Sequence, residues 1–282
     1  MATLKELKTK IASLKSTQKM TKTMKLVAGS RMRKATLAQE NAKDYARKLE
    51  ELLASVAGSA ETVEHPLLTQ NTSSGKALLL VVASDRGLCG GFNNNLFRMA
   101  KKWSKELQAG HPQGVSMSFC GRRAYSFFHQ DCEMDKYYEG VTDRPAYNAA
   151  ANVAQELMDA YTSGRYDAVY VAYSKFKSAL TQIPTFTKLL PIDEQAKAEG
   201  TQANADFIFE PVVEELLTDL LPNAVKFRIF NILLENGAGE HAARMAAMDN
   251  ATRNAGELID HYTLIHNRER QAAITSELID IV

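Results

Sequence analysis

The stretch with most potential for chemistry is Asp85-Arg-Gly-Leu-Cys-Gly-Gly-Phe-Asn-Asn-Asn. It follows an apolar run and precedes a helical one, where a glycine-rich loop can cradle phosphate with backbone amides. Its glycines fall at 87, 90 and 91, which matches neither the dinucleotide fingerprint nor a Walker loop, and no Gly-Lys-Ser/Thr follows. A tight strand-to-helix turn is therefore the expectation. Cys89 becomes a nucleophile only if a histidine is brought beside it, and no pattern in the chain suggests one. His65, His111, His129, His241, His261 and His266 lack HExxH or Cys/His ligand spacing, so neither a metal nor another cofactor is expected. Cys89, Cys120 and Cys132 are an odd count without paired spacing, which fits a reducing compartment better than a disulfide scaffold.

The second chemical signal is cationic. Over the whole chain 34 basic residues balance 33 acidic ones, which gives no global case for a nucleic-acid partner. The first fifty positions, however, hold thirteen Lys and Arg against four acids. A basic helix face of this kind, with Lys19, Lys22 and Lys25 among its residues, is ordinarily only solvated; contact with an acidic partner is the alternative. No apolar run approaches the ~20 residues needed to cross a bilayer, and the start lacks the apolar core of a secretory signal. Membrane association is expected only through partners.

Two long helices must carry these residues. Residues 2 to about 57 contain no proline, and heptads stepped from Leu4 place twelve apolar residues at sixteen seam positions, the pattern of a coiled-coil strand. The polar exceptions cluster at Gln18, Thr21 and Lys25. There a second stripe, Met20, Met24 and Val27, predicts a stutter in the heptad. The helix is expected to end near Gly58, before a loop over 61–75. At the other end, Ala242 to Val282 has no proline and one glycine, Gly256; as one helix it would span roughly 60 Å. Leu258, Ile259, Tyr262 and Ile265 recur at helical spacing. Arg244, Asp249, Asn250, Arg253, Asn254, Asn267, Arg268, Arg270 and Gln271 surround the helix, which suits a shaft touched from several directions.

Between these ends, apolar runs alternate with helical ones. Strands are predicted at Ala77–Ala83, Val115–Cys120, Ala168–Tyr173 and Thr181–Leu190, the last an edge strand because it carries Pro184. Helices are predicted at Asn93–Leu107, Arg123–His129 and Ala146–Thr162. The grammar is that of a largely parallel sheet covered on both faces. A polar linker, Asp193–Asp206, follows; helix resumes after Pro211 and is punctuated at Pro222. Gly237 and Gly239 read as a weak point costing ~1 kcal/mol each relative to alanine. The predicted fold is a Rossmann-like α/β insert (76–190) between helices (1–58 and 207–282) that form a long antiparallel coiled coil.

Over essentially its whole length the chain resembles the gamma subunits of F-type ATP synthases. Three stretches carry the match: Ile11 to Ala28 (IASLKSTQKMTKTMKLVA), Asp85 to Asn93 (DRGLCGGFN), and the pair Ala243 to Ala255 (ARMAAMDNATRNA) and Asn267 to Leu278 (NRERQAAITSEL). The resemblance implies a non-catalytic rotor stalk that stands inside a ring of alpha and beta subunits. Its globular domain would sit with the epsilon subunit on the membrane c-ring; the unprocessed-looking start favours the cytoplasmic face of a bacterial plasma membrane, with the equivalent face of an organelle membrane as the alternative. Lys19, Met20, Lys22, Met24 and Lys25 match the family segment that passes the acidic lever loops of the beta subunits. Arg270 and Gln271 match a pair contacting a beta-subunit loop higher in the bearing, Thr275 and Glu277 match the C-terminal signature, and Arg244 lies in the third matching stretch. The family usually continues with a Gly-Ala-rich tail where this sequence ends at Val282, and the linker after Pro191 is too short for the cysteine-bearing insert of chloroplast relatives. The rival reading is a nucleotide-binding α/β enzyme with helical arms for dimerisation or RNA binding. It needs a phosphate loop, an acid/base pair or a basic stripe on the sheet domain, and none is readable.

Overall fold

β1 (Ala77–Val82) is six apolar residues, all fully buried. A strand with no water-facing side has to be central, and β1 lies between β2 (Val115–Cys120) and β4 (Ala168–Phe176) in a five-stranded sheet of order β3-β2-β1-β4-β5. The computed structural model describes residues 3–59, 65–72, 74–192 and 213–281; the linker at 193–206 and Pro211 lie outside them. β1 pairs in parallel with β2 and β4, and β2 in parallel with β3 (Met134–Tyr138). β5 (Gln182–Leu190) closes the sheet as an antiparallel edge, with Pro184 opposite Ser174. β3 is absent from the sequence-based prediction. Its Met-Asp-Lys-Tyr-Tyr carries two charges and only Tyr138 is buried, as an outer strand tolerates.

Both sheet faces are covered. Leu79 and Val81 point toward α2 (Phe92–Gly110) and α3 (Arg122–Phe128), in a core with Leu96, Phe97, Phe119 and Phe128. Leu78, Leu80 and Val82 point the other way, toward α4 (Tyr147–Thr162) and α5 (Val213–Ile281), meeting Leu157, Tyr161, Leu221, Val225, Ile229 and Leu233. The last helix is thus both part of the domain core and the continuation of the shaft. At 69 residues it is roughly 100 Å long. It is not interrupted at Pro222: Leu221 and Val225, on either side of the proline, are buried in the sheet core, and that packing outweighs the lost backbone hydrogen bond.

α1 (Leu4–Ser59) runs antiparallel to α5. Along α1, Lys10 lies 4.8 Å from the Tyr262 ring, Lys25 pairs with Asp249, Gly29 faces Met245, and the Tyr45 ring packs at a tilt 4.4 Å from that of Phe227. Rising numbers on one helix meet falling numbers on the other. Leu7, Thr21, Ala28, Gln39, Ala42 and Leu49, all heptad positions, are buried. The heptad therefore continues through the polar positions, and the expected stutter does not form. Met20 and Val27, which were to take over the seam, are 61% and 50% exposed. On α5 the seam runs through buried Met248 and Ala255, then half-buried Ile259 and Tyr262, whereas Leu258 is exposed.

The two glycines expected to soften the shaft have different surroundings. A Cβ on Gly237 would meet nothing within 4 Å, but one on Gly239 would lie 3.1 Å from Phe92 Cε2 and 3.3 Å from Gln182 Cγ. Gly239 lets the helix approach the sheet domain, and residues 232–242 are buried throughout.

Candidate functional site: the shaft and its seat

The seam between α1 and α5 is keyed by polar side chains where the heptad loses its apolar residues. Lys25 Nζ sits 2.6 Å from Asp249 Oδ1 and holds that carboxyl below its ordinary pKa. One turn along, Thr252 Oγ1 donates to Thr21 Oγ1 at 2.8 Å, and Thr21 donates to the Gln18 carbonyl at 3.1 Å. Gln18 Nε2 reaches the Thr252 carbonyl at 3.5 Å, and a Cβ on Gly256 would crowd that amide at 3.1 Å. Polar partners inside a coiled-coil seam fix register, because any slip leaves them unpaired.

This arrangement divides the basic segment in two. Lys25 is turned to α5 and Met24 is half-buried, while Lys19, Met20 and Lys22 face outward together with Leu26 and Val27. Arg270, Gln271, Thr275 and Glu277 are all exposed. Continuing the Lys10–Tyr262 register brings Leu4 level with Arg268. The last turns of α5 therefore extend past the start of α1 as a single helix, with Ile274, Leu278 and Ile279 exposed.

Arg244, like Lys25, is turned inward, but into the sheet domain rather than across the seam. It lies, 11% exposed at its side chain, against a Glu240 carboxylate that is 4% exposed, at 2.6 Å. Its guanidinium also donates to the carbonyls of Arg86 (3.3 Å) and Gly87 (3.2 Å). The glycine-rich loop thus receives a cation from its own chain, through its carbonyls. The rest of the loop is tied internally. Asp85 accepts from Arg122 N at 3.0 Å and from Thr142 Oγ1 at 2.7 Å, and Asn93 Nδ2 donates to Ser84 Oγ at 2.7 Å. Asp143 bridges Arg86 of the loop (3.7 Å) and Arg31 of α1 (3.6 Å). Cys89 lies beside Ser84 and Asn93, and burial pushes its thiol pKa up, the opposite of an activated nucleophile. Among the described residues no group of three or more His, Cys, Asp or Glu is placed to hold a metal, and no helix is long and apolar enough to cross a membrane.

Sequence reasoning missed two members of this junction: Glu240, and Asn236, whose Nδ2 donates to the Ala83 carbonyl at 3.5 Å. Glu240 carried a signal, since it stands four residues before Arg244, the spacing of a helical ion pair; the burial of the pair did not. His241 completes the cluster. Arg244 Nη1 lies 3.3 Å from its Nδ1, and burial, then Arg244 and Arg31, push its pKa down to about 4 from 6.5. The folded state binds this proton less tightly than the unfolded one. The contribution of His241 to stability is complete above pH 6.5 and is lost as pH falls toward 4, on the order of 3 kcal/mol in all. Urea midpoints followed through the single tryptophan, Trp103, should fall across that window, and less steeply in His241→Gln.

A model of the ATP synthase family, described as ATP synthase, matches residues 3–282. The ATP synthase gamma chain of Trichlorobacter lovleyi is 43% identical over 285 aligned positions, covering 100% of this chain and 97% of that protein. The ATP synthase gamma chain of Erythrobacter litoralis is also 43% identical, with 100% and 98% covered. In fold, the chain is similar to a chain of the mitochondrial ATP synthase rotor of Euglena gracilis in rotational state 1, with a TM-score of 0.67 at 18% identity over 96% of this chain and 98% of that one. A chain of the central stalk and c-ring structure from Tetrahymena thermophila mitochondria gives a TM-score of 0.58 at 25% identity, covering 82% and 99%. Matched from end to end by the family model and by curated relatives, this chain belongs to the family of ATP synthase gamma chains.

Proposed function

We propose that the chain is the non-catalytic central rotor stalk of an F-type ATP synthase, carrying rotation between an ion-driven c-ring and a catalytic ring of alpha and beta subunits. The observation that supports this best is the asymmetry of the shaft surface. One side of α1 exposes Lys19, Met20, Lys22, Leu26 and Val27, and the tip of α5 exposes Ile274, Leu278 and Ile279 beside Arg270, Gln271, Thr275 and Glu277. Apolar residues left in water along a shaft mark contact surface. Turning such a shaft inside a ring presents each beta subunit with a different face in sequence. Each orientation shifts a site toward one conformation only through contacts that differ between conformations. In this reading the lysines of α1 meet acidic beta-subunit loops and the α5 tip runs in the bearing. The sheet domain rests with the epsilon subunit on the c-ring, at the cytoplasmic face of a bacterial plasma membrane. Arg244 takes an internal part, joining the shaft to the sheet domain.

The test is ATP hydrolysis by purified alpha and beta subunits with and without this chain. Multi-site turnover is expected only with the chain present, and a chain that alters neither assembly nor turnover would end the proposal. Met24→Lys adds a cation beside Lys22 and Lys25. It is expected to lower ATP-driven proton pumping several-fold while assembly stays within about twofold of wild type, on the scale of 1.4 kcal/mol per tenfold. Pumping at the wild-type rate would argue against that placement of α1.

A further inference from the structure

Open α/β sheets bind their ligands outside the carboxyl ends of the strands, at the point where strand order reverses. In this sheet the reversal lies between β1 and β4, and a stretch of α5 fills the crevice. Asn236, with no exposed surface, donates from Nδ2 to the carbonyl of Ala83, just past β1, at 3.5 Å. Gly239 abuts Phe92 at the start of α2 and Gln182 of β5, with the Ser174 carbonyl of β4 3.7 Å from where its Cβ would be. Glu240 and Arg244 complete the contact at the loop carbonyls. Asn236, Gly239 or Glu240, and Arg244 follow helical spacing, so a single stripe of α5 faces the crevice. Turning the helix about its own axis would withdraw the Asn236 amide and press a side chain against Phe92 and Gln182, which stand only 3.1 and 3.3 Å from a Cβ at position 239. α1 packs along α5 and reaches the sheet domain by the Arg31–Asp143 pair, whose side chains are 39% and 31% exposed, an arrangement that contributes little rigidity.

We infer that the crevice is a socket that, beyond the core packing of Leu221, Val225, Ile229 and Leu233 on the same helix, fixes the angular setting of the shaft where it leaves the sheet domain, with Asn236 and Gly239 as positioning residues for coupling. The shaft occupies the place a ligand takes in other sheets of this kind. The inference rests on the rotor-stalk reading.

The experiment compares Gly239→Ala, Gly239→Leu and Gly237→Ala in the assembled ATP synthase in inverted membrane vesicles. It reads ATP hydrolysis and ATP-driven proton uptake separately. Gly237→Ala is the control, because its Cβ would enter open space, and it should keep the wild-type ratio of uptake to hydrolysis. Gly239→Ala should lower that ratio about twofold and Gly239→Leu at least fivefold, with hydrolysis within about twofold of wild type. A wild-type ratio in both Gly239 variants overturns the inference. So does an equal loss of hydrolysis and uptake, or failure of both variants to assemble, since the contact would then only hold the fold together. If the wild-type chain itself supports no ATP-driven uptake of either protons or sodium ions, the rotor-stalk reading has failed instead.

Discussion

Gly121→Val is expected to destabilise the sheet domain by about 4 kcal/mol, combining backbone strain with overpacking of a site that has no room. Gly121 has φ +97°, and a Cβ there would overlap the Ala83 carbonyl oxygen. That oxygen belongs to the chain leaving β1, which is held beside β2 by Ala83 N donating to the Cys120 carbonyl at 2.9 Å. Just beyond, Arg123 N donates to the Ser84 carbonyl at 3.1 Å and Arg122 N to Asp85. The ends of β1 and β2 are therefore laced together by backbone groups, and neither can retreat from a side chain at 121 without breaking several hydrogen bonds. Gly114→Ala separates the two causes. Gly114 has φ +99° but open space around its Cβ, so only the conformational cost applies, about 1–2 kcal/mol. Trp103 reports both, since it stacks on Phe186 at 5.3 Å and packs on the core that contains Ala124 and Phe128 of α3. The urea midpoint followed by its fluorescence should drop far more for Gly121→Val than for Gly114→Ala. Equal shifts would show that the approach to Ala83 is not the dominant cost.

How much of this was legible in the sequence depends on whether the controlling contact is local. The coiled coil was, because heptads from Leu4 are a property of one helix, and the buried residues of α1 follow them. The two central strands and their neighbours were legible for the same reason: Ala77–Val82 and Val115–Cys120 are uniformly buried runs. The stutter was misread because Gln18, Thr21 and Lys25 look unsuited to a seam until Thr252 and Asp249 are placed opposite them. Their partners lie more than two hundred residues away. β3 was missed because an outer strand with Asp135 and Lys136 has no apolar run to show. Gly239 read as a weakness because helix propensity is intrinsic to the residue, whereas its contact with Phe92 is not. The loop at 85–93 is the strand-to-helix turn that its glycine spacing predicts, but the partner of its carbonyls, Arg244, is known only once the sheet order places α5 across the end of β1.

Arg244→Ala is expected to destabilise the junction by about 3 kcal/mol at neutral pH, more than a surface ion pair would contribute. The reason is what it leaves behind. Glu240 is already pushed up in pKa by burial, with Arg244 the chief influence pulling it back. Without the guanidinium, the carboxylate stays in the interior with no cation at 2.6 Å, and the Arg86 and Gly87 carbonyls lose their donor. Arg244→Met with Glu240→Leu removes the stranded charge as well as its partner, so the double variant should lie within about 1 kcal/mol of wild type. The pH dependence distinguishes this mechanism from simple loss of packing. In Arg244→Ala the folded-state pKa of Glu240 lies above its unfolded value of 4.5. Stability attached to the protonated form is then fully present below pH 4.5 and is lost as pH rises through the folded-state pKa. With His241→Gln as the common background, so that the imidazole's own titration drops out, the deficit should therefore be smallest near pH 4.5 and grow toward pH 8, a trend absent from the Arg244→Met, Glu240→Leu pair. Urea titrations at pH 5 and 8, read through Trp103, decide between them. A deficit of equal size at both values would mean that Arg244 acts through its carbonyl contacts and packing, and that Glu240 carries no stranded charge.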